Sequence, residues 1–168
     1  MSKTIILIPS RLSAKRLPGK PLLKINGISI IAHVFKKAKE ADIGDVYVAT
    51  EDKEILDDIN LNGGKAILTS NKHKTGSDRI FECFEKLDLK GIDYIINLQG
   101  DEPNLDINDL KHLNKLIEIY KPEIGTLASI IDNKSKLINE NVVKVITKIK
   151  ITEQNFPTAL GFRRKVND

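Results

Sequence analysis

The sequence predicts an α/β fold built on a doubly wound, mostly parallel β-sheet. The first observation is the apolar, β-branched run at residues 4–8, which is typical of a parallel strand buried on both faces. The second is that strand-like and helix-like segments alternate with short connections. The third is that charged loops rich in Gly and Pro follow several strands, and such sheets bind ligands beyond the carboxyl ends of their strands.

Each element is predicted from a local pattern. Apolar residues recur at helical spacing behind Ser29, a suitable N-cap, and a helix ending at Gly63 and Gly64 precedes another strand. The predicted strands are residues 4–8, 45–50, 65–68, 93–99, 125–131, 142–149 and 158–162. The first predicted helix begins at residue 30 and ends at a break at residues 42–44. The other predicted helices cover residues 52–62, 78–87 and 106–120.

Length and composition indicate one domain over residues 1–168, because 168 residues with 40% hydrophobic content suffice for one core. The net charge of +4 suits an anionic ligand, but the basic residues are scattered, so no nucleic-acid partner is expected. The single cysteine, Cys83, excludes an internal disulfide and favours the cytoplasm. No apolar run approaches the roughly 20 residues of a membrane span, so no membrane partner is expected.

The loop after the first predicted strand is basic. It reads PSRLSAKRLPGKP over residues 9–21 and places Arg11, Lys15, Arg16 and Lys20 within ten residues. Guanidinium groups hold phosphate oxygens in a two-pronged fashion, and Pro and Gly let backbone N–H groups approach the same anion. The loop therefore predicts a triphosphate site, although a solvated basic loop is the simpler alternative. Walker and dinucleotide-binding glycine patterns do not occur.

An acidic loop follows the fourth predicted strand. Gln99, Gly100, Asp101, Glu102 and Pro103 are expected at the same sheet edge as the basic loop. Mg²⁺ is commonly held by one or two carboxylates together with substrate phosphates, so the pair of loops indicates a metal–nucleotide site. A plain turn is the competing interpretation, since Gly, Asp and Pro favour turns.

A third loop, residues 75–79, contains Ser77, Asp78 and Arg79. Ser77 or Asp78 is expected to cap the following helix. Capping does not account for Arg79, one of only five arginines, three of which lie in the three candidate ligand loops.

These loops together resemble the CMP-Kdo synthetases, the 3-deoxy-manno-octulosonate cytidylyltransferases. The resemblance is carried by IPSR at 8–11, RLPGKPL at 16–22, GSDR at 76–79 and NLQGDEP at 97–103, and it extends from residue 5 to about residue 163. CMP-sialic acid synthetases share the opening proline, arginine and lysine but lack the second and fourth blocks. The resemblance implies a Rossmann-like sheet of the nucleotide-diphospho-sugar transferase type.

The resemblance also implies roles for individual residues. CTP, Mg²⁺ and the sugar acid Kdo are the expected partners, with catalytic roles for Lys20, Gln99 and Asp101 and with Asp101 holding the metal. The expected nucleotide-binding residues are Pro9, Ser10, Arg11, Arg16, Lys20, Ser77, Arg79 and Gln99. Ser13-Ala14 replaces the usual Ala-Ser order of the family, so no role is assigned to Ser13.

The implied reaction transfers CMP from CTP to Kdo and releases pyrophosphate for lipopolysaccharide synthesis. Family members form homodimers and continue beyond residue 168, so the chain is expected to be incomplete at its C-terminus and to lack sugar-pocket residues, a second acidic metal ligand and the dimer interface. A related CMP-acidic-sugar synthetase and a catalytically inactive nucleotide-binding fragment remain alternatives.

Overall fold

The computed structural model describes residues 3–13 and 17–165. The chain divides into two compact units, one ending at Asn114 and the other beginning at Lys115. The prediction of a single domain over residues 1–168 stays a prediction.

The first unit contains β1 (Thr4–Ser10), β2 (Lys24–Ile25), β3 (Ile28–Ser29), α1 (Ile30–Glu40), β4 (Val46–Thr50), α2 (Lys53–Leu61), β5 (Ala66–Leu68), α3 (Gly76–Leu87) and β6 (Tyr94–Asn97). Helix α4 (Ile107–Tyr120) contains the boundary, and α5 (Lys134–Ile138), β7 (Lys144–Thr147) and β8 (Ala159–Arg163) follow it.

The first unit is built on a four-stranded sheet with the order β5-β4-β1-β6. All three strand pairs are parallel, and Ile6 of β1 lies opposite Val46 on one side and Ile96 on the other. The strand order reverses next to β1, because β4 and β5 extend to one side and β6 to the other. Ligands of doubly wound sheets bind at this type of position. The predicted α/β class is confirmed.

Both faces of the sheet are buried at its central strands β1 and β4, as the apolar composition of β1 predicts. Ile6 and Ile8 belong to a cluster that includes side chains of α1, α2 and α4, whereas Ile5 and Leu7 belong to a second cluster with side chains of α3. Alternate residues of a strand point to opposite faces, so a strand covered on both sides must be apolar throughout.

Two details of the first unit differ from the predictions. Strands β2 and β3 form a short antiparallel hairpin around Asn26 and Gly27, both with positive φ. An Asn-Gly pair is the usual signal for this turn, so the sequence contained the information. The N-cap of α3 is Thr75 rather than Ser77 or Asp78, and Asp78 completes a capping box with it.

The predicted strand at residues 125–131 is wrong. This segment has no regular secondary structure, and its apolar side chains are largely exposed, including Ile130 at 79%. Apolar composition cannot make a strand without a neighbour that satisfies its backbone N–H and C=O groups. Strands β7 and β8 do form, but they pair antiparallel in a separate two-stranded sheet.

Candidate functional site

Pro9, near the carboxyl end of the central strand β1, is approached by two of the candidate ligand loops. A Cβ atom placed on Gly76, at the start of α3, would lie 3.3 Å from the Pro9 ring. A Cβ atom on Gly100 would lie 2.9 Å from the Pro9 carbonyl oxygen and 3.0 Å from Ile31 Cδ1. Glycine at position 100 therefore permits the acidic loop to pack directly against the end of β1. The structure brings together loops that are far apart in the sequence.

The basic loop is closed at its base by backbone hydrogen bonding. The Gly19 N–H donates to the Leu12 carbonyl at 3.0 Å, and Gly19 has a φ of +72°, which glycine adopts without strain. Arg11 is exposed at the start of the loop, and Lys20 begins a 3₁₀ turn at its end. Arg16, a predicted triphosphate ligand, lies outside the described residues.

Lys20 and Asp101 meet across this edge of the sheet. The Lys20 ammonium donates to Asp101 Oδ2 at 2.7 Å, although 81 residues separate them in the sequence. Both side chains remain substantially exposed. A partly solvated cation and carboxylate in contact form a pair that an incoming metal–phosphate group can separate without breaking a buried network. Gln99, two positions before Asp101 in the sequence, is exposed, and its Nε2 donates to Asn97 Oδ1 at 3.5 Å.

The predicted cytidine ligands fall into two environments. Ser77 is exposed in the first turn of α3, whereas Ser10 is buried and its Oγ has no hydrogen-bond partner among residues 3–13 and 17–165. A buried hydroxyl without a partner costs free energy, so Ser10 marks a place where the end of β1 is polar and unsatisfied.

Arg79 lies in a buried network. Its side chain is only 3% exposed, and the guanidinium donates to Thr69 Oγ1 at 2.6 Å, to the Ser70 carbonyl at 3.3 Å and to Glu51 Oε2. This arrangement joins α3 to the segments that follow β4 and β5. Direct contact between Arg79 and cytidine stays a prediction.

Glu51 and Asp52, which the sequence analysis did not single out, also belong to this edge. They directly follow β4, and Asp52 Oδ2 accepts a 2.7 Å hydrogen bond from the Leu12 N–H of the basic loop. The position of two carboxylates directly after a buried strand was the signal that could have identified them.

Glu82 of α3 is the acceptor of a second cluster near the Gly76 loop. Lys86 donates to Glu82 Oε1 at 2.8 Å, while His73 Nε2 and the Ser70 N–H contact Oε2. Hydrogen bonds from Lys86, then His73, then the Ser70 N–H lower the pKa of Glu82 from its ordinary value of 4.5 to about 2. His73 therefore has a structural partner.

The low pKa of Glu82 predicts a specific loss of stability in acid. The carboxylate stabilises the folded state fully above pH 4.5, and this stabilisation is lost as the pH falls towards 2. Between pH 6 and 3 we expect the unfolding free energy of the unsubstituted protein to fall by about 1–2 kcal/mol more than that of Glu82→Gln. Urea titrations at several pH values measure this difference. Glu85→Gln, an exposed control on the same helix, should keep the full dependence, and identical slopes for Glu82→Gln would contradict the assignment.

Cys83 is a core residue rather than a nucleophile. It is fully buried in the cluster on the α3 face of the sheet. Burial, together with the nearby Glu82 charge, raises the pKa of its thiol to about 12. The thiol is therefore protonated at neutral pH.

Metal-binding capacity at this edge rests on few protein groups. Within the described ranges 3–13 and 17–165, no three His, Cys, Asp or Glu side chains gather in a metal-binding arrangement. Asp101 supplies one exposed carboxylate next to the basic loop, which is compatible with a Mg²⁺ ion whose other ligands come from phosphates and water. In the same part of the chain, every helix is too short or too polar to pass through a bilayer.

Comparisons with known proteins agree with this geometry. The chain matches the cytidylyltransferase family over residues 5–167. It is 43% identical over 146 residues to the 3-deoxy-manno-octulosonate cytidylyltransferase of Rhodopseudomonas palustris (strain BisB18), covering 86% of this chain and 60% of that protein. The corresponding enzyme of Paramagnetospirillum magneticum is 38% identical over 161 residues, with coverage of 95% and 65%.

A solved structure of CMP:2-keto-3-deoxy-manno-octonic acid synthetase complexed with CTP is also similar. It superposes with a TM-score of 0.84 at 38% identity and covers 98% of this chain and 65% of that chain. The chain thus spans about 60% of the length of the curated relatives it matches. The family resemblance inferred from the loop motifs is confirmed: the chain belongs to the cytidylyltransferase family.

Proposed function

We propose that this protein takes part in the transfer of CMP from CTP to Kdo, with release of pyrophosphate, in lipopolysaccharide synthesis. The observation that carries the proposal is the meeting of the basic and acidic loops through Lys20 and Asp101, beside the Gly76 and Gly100 contacts to Pro9. It is further supported by relatives named for this reaction and by a CTP complex of a similar synthetase.

The basic loop receives the triphosphate in this proposal. Arg11 and Arg16 hold phosphate oxygens through their guanidinium groups, and Lys20 provides a point charge near the β and γ phosphates. Cytidine lies against the backbone of Pro9 and Ser10, with Ser77, Arg79 and Gln99 completing the nucleotide site. Gln99 is exposed in the same loop as Asp101, which suits a group between the nucleotide and the sugar.

Asp101 is the residue of this chain that would hold Mg²⁺. When bound, the metal neutralises charge on the phosphates during transfer. Lys20 exchanges its contact with Asp101 for one with the leaving pyrophosphate, so the same ammonium serves both states. The reaction needs positioning and charge neutralisation more than a covalent intermediate.

The reaction requires no protein nucleophile. The anomeric hydroxyl oxygen of Kdo bonds to the α-phosphorus of CTP, and the hydroxyl proton passes to water. The bond from the α-phosphorus to the oxygen that bridges the α and β phosphates breaks, and pyrophosphate leaves. A homodimeric, cytoplasmic enzyme without nucleic-acid or membrane partners stays a prediction.

The experiment that tests this function measures binding and turnover separately. Calorimetry with the 168-residue chain should detect CTP in preference to UTP and ATP. Pyrophosphate release should be measured with CTP, Mg²⁺ and Kdo on a chimera that adds the remaining region of the Rhodopseudomonas palustris relative. We expect the chimera to turn over Kdo but not sialic acid. Turnover of sialic acid alone would show that sialic acid, and not Kdo, is the substrate. Failure of both forms to bind CTP would contradict the proposed function.

Lys20→Ala should distinguish phosphate recognition from general nucleotide binding. We expect CTP affinity to fall about tenfold or more while CMP affinity changes less than about threefold, because the ammonium contacts the terminal phosphates. Titration calorimetry gives both constants, and Lys24→Ala is an exposed control four positions along the chain. Equal losses for CTP and CMP would reject this role, and the same selectivity is expected for Arg16→Ala.

A further inference from the structure

We infer that Glu51 and Asp52, the Glu51–Asp52 pair, are positioning residues that hold the two flanks of the basic loop, at Leu12 and Ser13 and at Gly19, in place for phosphate binding. The pair follows β4 and contacts the basic loop as well as α3. The inference deepens the proposed function and rests on it for the identity of the ligand.

Asp52 holds the first half of the loop. Its Oδ2 accepts a 2.7 Å hydrogen bond from the Leu12 N–H, and its own N–H donates to Thr50 Oγ1 at 3.1 Å. Thr50 is fully buried at the end of β4, so the backbone of Asp52 is attached to the sheet. Hydrogen bonds from backbone N–H groups to carboxylates are stronger than neutral ones.

Leu12 transmits this anchoring to the far end of the loop. Its carbonyl accepts the hydrogen bond from the Gly19 N–H, and its side chain packs against the cluster on the α1 face of the sheet. Gly19 directly precedes Lys20, the residue that contacts Asp101. Leu12 therefore connects Asp52 to the residue that directly precedes Lys20.

Glu51 links the same loop to the Gly76 side of the site. Its Oε1 accepts from Ser13 Oγ at 3.3 Å, and its Oε2 accepts from the buried Arg79 guanidinium. Arg79 and the exposed Ser77 both lie in the first turn of α3. The two carboxylates thus attach both nucleotide-binding segments to the end of one strand.

Ordinary helix capping does not explain Asp52. It occupies the N-cap position of α2, where an Asp side chain normally accepts a hydrogen bond from the first turn of its own helix. No such bond is present, and the carboxylate is directed instead to Leu12. A residue that gives up a local role for a distant contact at a ligand-binding edge is typical of a functional constraint.

Direct phosphate binding does not explain the pair either. Carboxylates repel a triphosphate, and both members already accept hydrogen bonds from the protein. Their contribution is made through Leu12, Ser13 and Arg79, which they hold in place. Preorganised loops bind more tightly because less ordering remains to be done when the ligand arrives.

The test compares Asp52→Ala with Asp52→Asn in the 168-residue chain. The alanine variant removes the acceptor for Leu12, whereas asparagine retains a carbonyl oxygen that can accept the same bond. Asp57→Ala, an exposed carboxylate of α2, is the matched control. Calorimetric constants for CTP and CMP, hydrogen exchange at the Leu12 amide and urea stability should be measured for each variant.

We expect Asp52→Ala to weaken CTP about tenfold and CMP less than about threefold, with faster exchange at Leu12 and rescue of both properties in Asp52→Asn. Unchanged CTP affinity in Asp52→Ala would overturn the inference, and so would equal losses of CTP and CMP. Absence of CTP binding by both the unsubstituted chain and the chimera would overturn the proposed function instead. In that case the hydrogen-exchange rate of the Leu12 amide in Asp52→Ala still tests the inference. An unchanged rate would overturn the anchoring of Leu12 by Asp52, and a faster rate would support it.

Discussion

Asp101→Asn in the chimera should reduce pyrophosphate release by about two to four orders of magnitude while CTP affinity changes less than about threefold. The expected asymmetry follows from the exposed position of the carboxylate beside Lys20. Asparagine keeps the size of the side chain but removes the negative charge that a metal–triphosphate complex requires. The substitution also frees Lys20 from its ion pair with Asp101. The freed ammonium favours binding of the phosphates and offsets part of the loss of CTP affinity.

Two measurements define the result for Asp101. Pyrophosphate release at saturating CTP and Kdo reports turnover, and calorimetry with CTP reports affinity. Glu102→Gln is the matched control, because Glu102 is the adjacent exposed carboxylate of the same loop. If Asp101→Asn releases pyrophosphate at a near-normal rate and Glu102→Gln does not, the assignment of Asp101 as the metal ligand is wrong and Glu102 is the metal ligand instead.

Arg79→Ala should lower the unfolding free energy by roughly 3–5 kcal/mol, because removing one member of a buried ion pair leaves the other uncompensated. Glu51 would then lose its cationic partner, and Thr69 would lose the 2.6 Å hydrogen bond from the guanidinium. The effect should also loosen the start of α3 and the segment that follows β4.

Urea unfolding followed by circular dichroism measures this change. Lys90→Ala provides the control, since the Lys90–Asp88 pair is almost fully exposed and should contribute less than about 1 kcal/mol. The double variant Glu51→Gln/Arg79→Met should be less destabilised than the sum of its single variants, because the residues act as one network. A loss below about 1 kcal/mol in Arg79→Ala would show that the buried pair contributes little.

Local sequence patterns predicted most of the first unit because the spacing of apolar residues indicates which faces of a strand or helix are buried. The strand at residues 4–8 could be identified from its apolar composition alone, and Ser29 caps α1 as predicted through a 3.1 Å hydrogen bond from the Ala32 N–H. The prediction failed at residues 125–131, where the composition resembles a strand but no partner strand is present in the described part of the chain. Apolar character indicates a preference for burial and does not identify the neighbour.

Sequence order also limited what could be said about the site. The loops that follow β1, β5 and β6 could be placed at one edge, because parallel strands all end on the same side. The partners within that edge could not be found, since 81 residues separate Lys20 from Asp101, 40 separate Leu12 from Asp52 and 28 separate Glu51 from Arg79. No periodic pattern encodes such pairs.

The chemical character of the loops and their placement at one edge of the sheet therefore follow from the chain's own local patterns and family motifs. Folding determines which of these charges meet. Arg79 illustrates the distinction: its position in a ligand loop suggested a nucleotide contact, and only the structure shows that the guanidinium is buried beside Glu51. A charged side chain can be retained in such a place only if a distant carboxylate and hydroxyl are brought to it, and that requirement is met in three dimensions.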